Sequence, residues 1–355
     1  MPPSSSKAIT TSPRATTRRA VLAASLPVAA FALAPALVGA TPVKASPAGS
    51  AMRERAEALL ALFDPSQKEA ALFAFDGRRR RAWNFMLGSR RAPGVPLEAM
   101  TEAQKVATMD LLASALGETG MVKAERIMLQ QDIMRDEWGK GAPDRNRERF
   151  SIQFYGTPSP DGPWSWRFEG HHLSLTFTLV GDEVVSITPS SFSSEPNTVP
   201  SGPHKGMVVL EEESIGRRIF ADLSPQQRAR ALIREGSYGN ILTTAGRESR
   251  FGETREGIAL ADLPQTQVDE IVRLVEVFAV DNFAPALAAA EAARIREGDL
   301  AAAHFGWAGD DRAGSIYYRL HGDTFLIEFA TLRNQPLHHH AVRHDLARNF
   351  GDHVL

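Results

Sequence analysis

The histidines of this sequence are concentrated near its end, where five of the ten follow Leu337. His338 and His340 are separated by one residue, and on an extended segment residues i and i+2 point to the same side. Two imidazoles on one side can bind one cation, as histidines do for zinc, copper and iron. The spacing therefore predicts a metal site at His338 and His340. A solvated polar tail, with no ligand role, has the same composition and is the alternative.

A second pair, His171 and His172, precedes a segment (173–179) in which apolar residues recur at every second position. This alternation predicts a half-buried strand with one solvent-facing side. If the pair opens that strand, its two rings face opposite sides, with His172 on the polar side. Either ring could bind a metal while the other donates a hydrogen bond, and the alternative is a histidine satisfied within the core.

Two acidic residues are further candidates. Glu328 lies in an apolar segment (325–330), where a carboxylate is costly unless a metal, an arginine or a role as general base offsets its burial. The sequence leaves a structural ion pair with Arg319 and a functional role equally open. Asp345 follows the C-terminal histidines, and we expect it to orient a histidine or to complete the coordination.

The elements that must position these residues are helices and strands in separate blocks. Periodicity predicts helices within residues 50–140, with a break at 117–120, and again at 225–235, 265–278 and 285–297. It predicts strands within 150–210, and a hairpin formed by 316–320 and 325–329. We therefore predict a single α+β domain, in which helical layers pack on a mixed or antiparallel sheet.

Three five-residue segments, at 100–104, 223–227 and 263–267, resemble one another. Helix capping is a sufficient explanation, because Ser or Thr accepts hydrogen bonds from the free amides of a helix start and proline suits the first helical position. We interpret them as three helix starts, not as a solenoid, because no fixed period is present.

The composition limits the possible chemistry. The chain contains no cysteine, which excludes disulfides, thiolate zinc sites, iron–sulfur clusters and cysteine nucleophiles. Any metal must have nitrogen and oxygen ligands. The H-E-x-x-H, G-x-S-x-G and Walker motifs are also absent from the sequence.

The N-terminus predicts export. Arg18-Arg19 precedes an uncharged, alanine-rich stretch (20–43) and small residues suited to signal peptidase. This pattern indicates a twin-arginine signal peptide at 1–45, the export machinery as a partner and a periplasmic or extracellular location for the globular domain 46–355. The alternative is a permanent membrane anchor, against which the prolines of the stretch argue.

Cleavage of that signal would change the charge of the chain. Five of the 40 basic residues and no acid lie in 1–45, so the mature chain would have 35 basic and 42 acidic residues and a net charge of −7. An acidic protein is a poor candidate for binding nucleic acid or anionic membranes. We expect neither nucleic acid nor stable membrane insertion.

The chain contains, in this order, the blocks Gly162-Pro163-Trp164-Ser165-Trp166-Arg167, Gly170-His171-His172-Leu173, Trp307-Ala308-Gly309, Tyr317-Tyr318-Arg319-Leu320, Ile327-Glu328-Phe329, His338-x-His340 and Asn349-Phe350-Gly351-Asp352. In their order and spacing these blocks resemble the DUF3500 family, a domain of unknown function. The resemblance covers residues from about 51 to the C-terminus. The family's tail usually reads N-H-x-H-x-V-W-R-D, so the resemblance implies a role for His338 and His340. Leu337, Arg343 and His344 depart from that pattern, whereas Asp345 matches it.

Together these features predict one divalent metal, with zinc, iron and copper left open. The expected ligands are His171 or His172, Glu328, His338 and His340, with Asp345 in support. Such a site could belong to a metal-dependent hydrolase or oxidoreductase that acts on a small molecule. The alternatives are a non-catalytic protein that binds a small molecule or a metal, and a polar cluster that only ties the tail to the sheet.

Overall fold

The computed structural model describes residues 47–86, 92–137, 139, 145–309 and 314–354. The proposed signal peptide lies outside these residues. The α-helices are α1 (Pro47–Leu62), α2 (Pro65–Ala71), α3 (Glu102–Ala115), α4 (Glu118–Asp136), α5 (Glu212–Asp222), α6 (Pro225–Ala231), α7 (Gln265–Ala279) and α8 (Pro285–Glu297). Within the described part of the chain, no helix combines the length and the apolar character that a membrane span requires.

The strands of the described residues form one open, mixed sheet. They are β1 (Leu72–Phe73), β2 (Val95–Pro96), β3 (Ser151–Tyr155), β4 (Pro163–Gly170), β5 (Leu173–Val180), β6 (Glu183–Ser186), β7 (Ser190–Phe192), β8 (Leu232–Arg234), β9 (Ile258–Ala259), β10 (His304–Gly309), β11 (Ile316–His321), β12 (Phe325–Leu332) and β13 (Gln335–Asp345). The order across the sheet is β1-β3-β4-β5-β7-β13-β12-β11-β10-β8. The predicted α+β fold and the predicted hairpin of β11 and β12 are confirmed.

The two faces of the sheet are covered differently. Apolar strand residues such as Trp166 and Phe177 share a core with helix residues such as Met52 and Leu274. The opposite face is covered by three loop segments (77–86, 236–250 and 349–354), whose apolar side chains form a second, smaller core. Helices therefore lie on one side of the sheet and loops on the other.

The prediction of a solvent-facing side on β5 was wrong. Ser174, Thr176 and Thr178 are all 0% exposed. The covering segments meet these polar groups with hydrogen bonds: Thr178 Oγ1, for example, donates to the carbonyl oxygen of Phe350 at 3.0 Å. Alternation fixed which residues share a face, but it could not show that polar loops would bury the polar face.

The chain contains the same arrangement twice. The order α1-α2-β1-β2-α3-α4-β3-β4-β5-β6 recurs as α5-α6-β8-β9-α7-α8-β10-β11-β12-β13. In each half the first strand pairs parallel to the third and the second strand pairs antiparallel to it. β7 has no counterpart in this scheme, and it lies between β5 and β13. The two halves therefore meet where β7 joins them.

The resemblance among the helix starts reflects this arrangement as well as capping. Thr101 and Ser224 cap α3 and α6 as predicted. In the first half, Gln67 of α2 and Gln104 of α3 pair through their amides at 2.8 and 3.1 Å. In the second half, Gln227 of α6 and Gln267 of α7 pair at 3.0 Å. The starts of α3 and α7 are thus equivalent positions in the two halves, and so are the starts of α2 and α6.

Candidate metal centre

Four histidines gather where the two halves of the sheet meet. His171 and His172 form the turn between β4 and β5, while His338 and His340 lie on β13. A single strand, β7, separates β13 from β5 in the sheet. The Nε2 atom of His338 lies 2.9 Å from Nε2 of His172 and 3.1 Å from Nε2 of His340. The Nε2 atom of His338 is therefore in contact with two other imidazole nitrogens, and the rings of His338 and His340 lie on the same side of β13.

The alternation predicted that His171 and His172 would open β5 and face opposite sides. Instead, the two residues form the turn before β5. Their rings stack with centroids 3.6 Å apart. His172 has a left-handed backbone (φ 71°), which is rare for a residue other than glycine. Its N–H donates to the carbonyl oxygen of Phe85 at 2.7 Å, and its own carbonyl accepts from the Ser193 N–H at 2.8 Å. Strained backbone held in this way is often found at functional sites.

Hydrogen bonds determine which nitrogen of His340 carries the proton. Asn240 Oδ1 accepts from the backbone N–H of Ile241 at 2.8 Å, which identifies this atom as the amide oxygen. The same oxygen lies 2.7 Å from Nδ1 of His340. Nδ1 must therefore donate, and the lone pair of this ring is on Nε2.

His338 is oriented in the same way. Its Nδ1 lies 2.8 Å from Gln335 Oε1 and 3.5 Å from Glu195 Oε2, and a carboxylate oxygen can only accept. Its lone pair is therefore also on Nε2. The Nε2 atoms of His338 and His340 present lone pairs to each other at 3.1 Å. This contact is repulsive unless a cation lies between them.

Neither His172 nor His340 readily takes up a second proton for this role. Burial lowers the pKa of His172 and of His340 well below the usual value, and the neighbouring imidazoles lower both further. Neutral imidazoles with converging lone pairs are the form in which histidine binds a metal. His338 and His340 therefore offer Nε2 lone pairs that a transition metal ion could bind, and His172, whose Nδ1 has no hydrogen-bond partner among the described residues, adds a third imidazole.

A carboxylate also lies at this centre. Ligand atoms of His171, His172, Glu195 and His338 all lie within 4.8 Å of one another. Glu195 Oε2 accepts a hydrogen bond from the Arg145 guanidinium at 2.8 Å. Because this carboxylate is held by arginine and faces Nδ1 of His338, it serves best as the partner that orients His338.

His340 does not belong to that four-residue group, although His172 and His338 do. We place His340 in the ligand set because its Nε2 is directed at that of His338. Nδ1 of His171 is occupied by Gln131 at 2.8 Å and Arg145 at 3.3 Å, so only its Nε2 could join the set. His171 then supports His172 by stacking.

The family model described as a protein of unknown function, DUF3500, matches residues 45–352. This chain belongs to the DUF3500 family. Neither the search of curated proteins nor the search of solved structures gave a significant match.

In this DUF3500 protein, Glu328 lies apart from the converging imidazoles. Its carboxylate accepts from the backbone N–H groups of Leu242 and Thr243, both at 2.9 Å, from the Thr243 hydroxyl, and from the Tyr317 hydroxyl at 2.7 Å. The predicted partner Arg319 stands opposite it in the β-ladder but pairs with Glu256 instead. Glu328 holds the loop that contains Asn240, so we do not include it among the ligands.

Asp345 is also placed elsewhere. It pairs with Arg294 and accepts from the backbone N–H groups of Ala347 and Arg348 at 3.0 and 2.9 Å. It lies on the same strand as the histidines but on the helix side, since odd-numbered residues of β13 face the helices. Its contacts are those of a structural ion pair that ends β13.

Sequence reasoning missed Glu195, Asn240 and Gln335. Glu195 follows β7, Asn240 lies in the loop between β8 and β9, and Gln335 begins β13. They have no motif spacing relative to the histidines, so the sequence contains no signal for Glu195 or Asn240. The sequence signal for Gln335 is its position three residues before His338, from which its amide orients that ring.

Proposed function

We propose that this protein binds one divalent transition metal through Nε2 of His172, His338 and His340, and that it is a metal-dependent hydrolase or oxidoreductase. The observation that supports this most directly is the 3.1 Å contact between two nitrogens that both carry lone pairs. Three imidazoles fit zinc, iron and copper.

A catalytic metal needs a position for substrate. Catalytic zinc sites characteristically have three protein ligands, whereas structural sites have four. Here the fourth candidate, Glu195, is held by Arg145. The centre is also accessible from one side, because His338 and Glu195 are each 12% exposed while His172 is 0% exposed. These features favour catalysis over the alternative, a non-catalytic protein with a closed ligand set.

We also propose that the protein is exported by the twin-arginine route to the periplasm or beyond. That route carries folded proteins with their cofactors, and a centre built from both halves of the fold is complete only in a folded chain. Replacement of Arg18 and Arg19 by lysine should leave the precursor in the cytoplasm, and normal export of the double variant would contradict the proposal.

The metal proposal is tested by elemental analysis of the full protein purified from its native compartment. Wild type should contain about one equivalent of metal, and His172→Ala, His338→Ala and His340→Ala should each lose most of it. His204→Ala is the matched control, because His204 lies in a turn at 201–206, and it should retain the metal. Full metal content in His338→Ala and His340→Ala, with folding verified by circular dichroism, would remove the site.

A further inference from the structure

The charge of the proposed metal centre favours an anionic ligand. Three neutral imidazoles add no charge to a divalent ion, so the ion would keep its charge of two beside buried groups. Arg145 and Glu195, which contact His171 and His338, form an ion pair whose charges cancel. An uncompensated charge is costly at a buried site, so an anionic ligand would be strongly favoured there.

Arg145 lies where it could bind such an anion. Its Nη2 donates to Glu195 Oε2 at 2.8 Å, and its Nη1 is 3.3 Å from Nδ1 of His171, whose ring stacks on His172. The Arg145 side chain is 14% exposed and the Glu195 side chain 12%. The pair thus lies, together with His338, at the edge of the centre that reaches solvent, whereas His172 is fully buried.

The Glu195 carboxylate accepts a hydrogen bond from the Arg145 guanidinium, as the carboxylate of an external ligand would. Arginine presents two parallel N–H donors that match the two oxygens of a carboxylate or phosphate. An oxyanion that bound the metal at this edge would lie within reach of Arg145. It would compete with Glu195 for the same donor.

We propose that the substrate or ligand of this protein is a small oxyanion, a carboxylate or phosphate compound, which binds the metal and takes the place of Glu195 on Arg145. This inference rests on the proposed metal function. In it, Arg145 binds the ligand, and Glu195 is a positioning residue that holds the guanidinium until the ligand arrives.

The experiment uses the full-length mature protein loaded with Co²⁺, whose visible absorption bands report the metal's ligands. Acetate and inorganic phosphate are titrated separately, and at least one should shift the bands saturably. Arg145→Gln should weaken that binding about tenfold or more, because a charge-assisted hydrogen bond contributes about 1.5–3 kcal/mol. Glu195→Gln should strengthen it, because the internal competitor loses its charge. The anion that binds more tightly identifies carboxylate or phosphoryl chemistry.

Arg126→Gln is the matched control: it removes an exposed arginine of α4 that bonds the carbonyl oxygen of Val208, and it should titrate as wild type. Cobalt bands that no anion shifts would overturn this inference and leave the metal site standing, whereas failure to bind cobalt would overturn both. Equal anion affinity in wild type and Arg145→Gln would refute the role of Arg145. Loss of the cobalt bands in Glu195→Gln would show that the metal itself needs the Glu195 carboxylate, and the exchange would then be wrong.

Discussion

At the scale of single residues, the candidate centre depends on side chains that do not touch the metal. Asn240 determines the protonation of His340, and Gln335 with Glu195 determines that of His338. Partners of this kind fix both the tautomer and the direction of a ligand ring. Without these partners, residues 338–340 would be an ordinary polar segment.

Asn240→Ala should therefore weaken metal binding although Asn240 makes no bond to the metal. Loss of the acceptor frees the His340 ring to rotate and to move its proton to Nε2, and such partners typically change affinity about 10- to 100-fold. The dissociation constant is measured by competition with a chromophoric chelator. Asn349→Ala serves as control, since that amide bonds the buried His344 instead and its loss should leave metal affinity near wild type.

At the scale of elements, the two halves use the same interlocking helix starts. Gln104 donates to the carbonyl oxygen of Leu62 at 2.8 Å, and Gln267 donates to that of Asp222 at 2.8 Å. Each glutamine also pairs with the glutamine of a preceding short helix. These amides connect consecutive helices directly to one another.

Gln104→Ala and Gln267→Ala should both destabilise the fold, and the first should do so more. Gln104 is 5% exposed, so its removal leaves buried polar groups unpaired, at a cost of about 1–3 kcal/mol. Gln267 is partly exposed, so water can replace some of the hydrogen bonds that its removal breaks. Urea unfolding gives both free energies. Gln265→Ala, which removes an exposed contact with Asp269, should change stability little, and equal effects of all three variants would contradict this account.

At the scale of the whole molecule, the buried polar face makes stability depend on pH. Burial lowers the pKa of His344 to about 3 and that of His321 to about 4, against about 6.5 in an unfolded chain. His344 faces Thr243, Asn349 and Trp83. Because these folded-state pKa values lie below the unfolded value, the unfolded chain takes up protons first as the pH falls.

The stability that these histidines contribute should accordingly be complete above pH 6.5 and decrease below it. His344 alone should account for about 1.4 kcal/mol per pH unit well inside that window, and His321 acts in the same direction. Urea unfolding of metal-free protein at pH 7 and pH 5 measures the decrease. His344→Gln retains hydrogen-bonding groups but cannot titrate, so its free energy of unfolding should fall less steeply. Identical slopes in the two proteins would exclude His344 as a cause.

The sequence by itself determined the local structure of this protein. Periodicity placed α8 and the hairpin of β11 and β12, and capping residues placed the starts of α3 and α6. The spacing of His338 and His340 indicated that the two rings share one side. These features depend on neighbours within a few residues. Only the tertiary structure decided the rest. Whether Glu328 meets a metal or a loop, and whether Thr178 meets water or protein, depends on segments more than 60 residues away. Glu195 and Asn240 reach the histidines only because β7 joins the two halves of the sheet, and no local pattern encodes that contact.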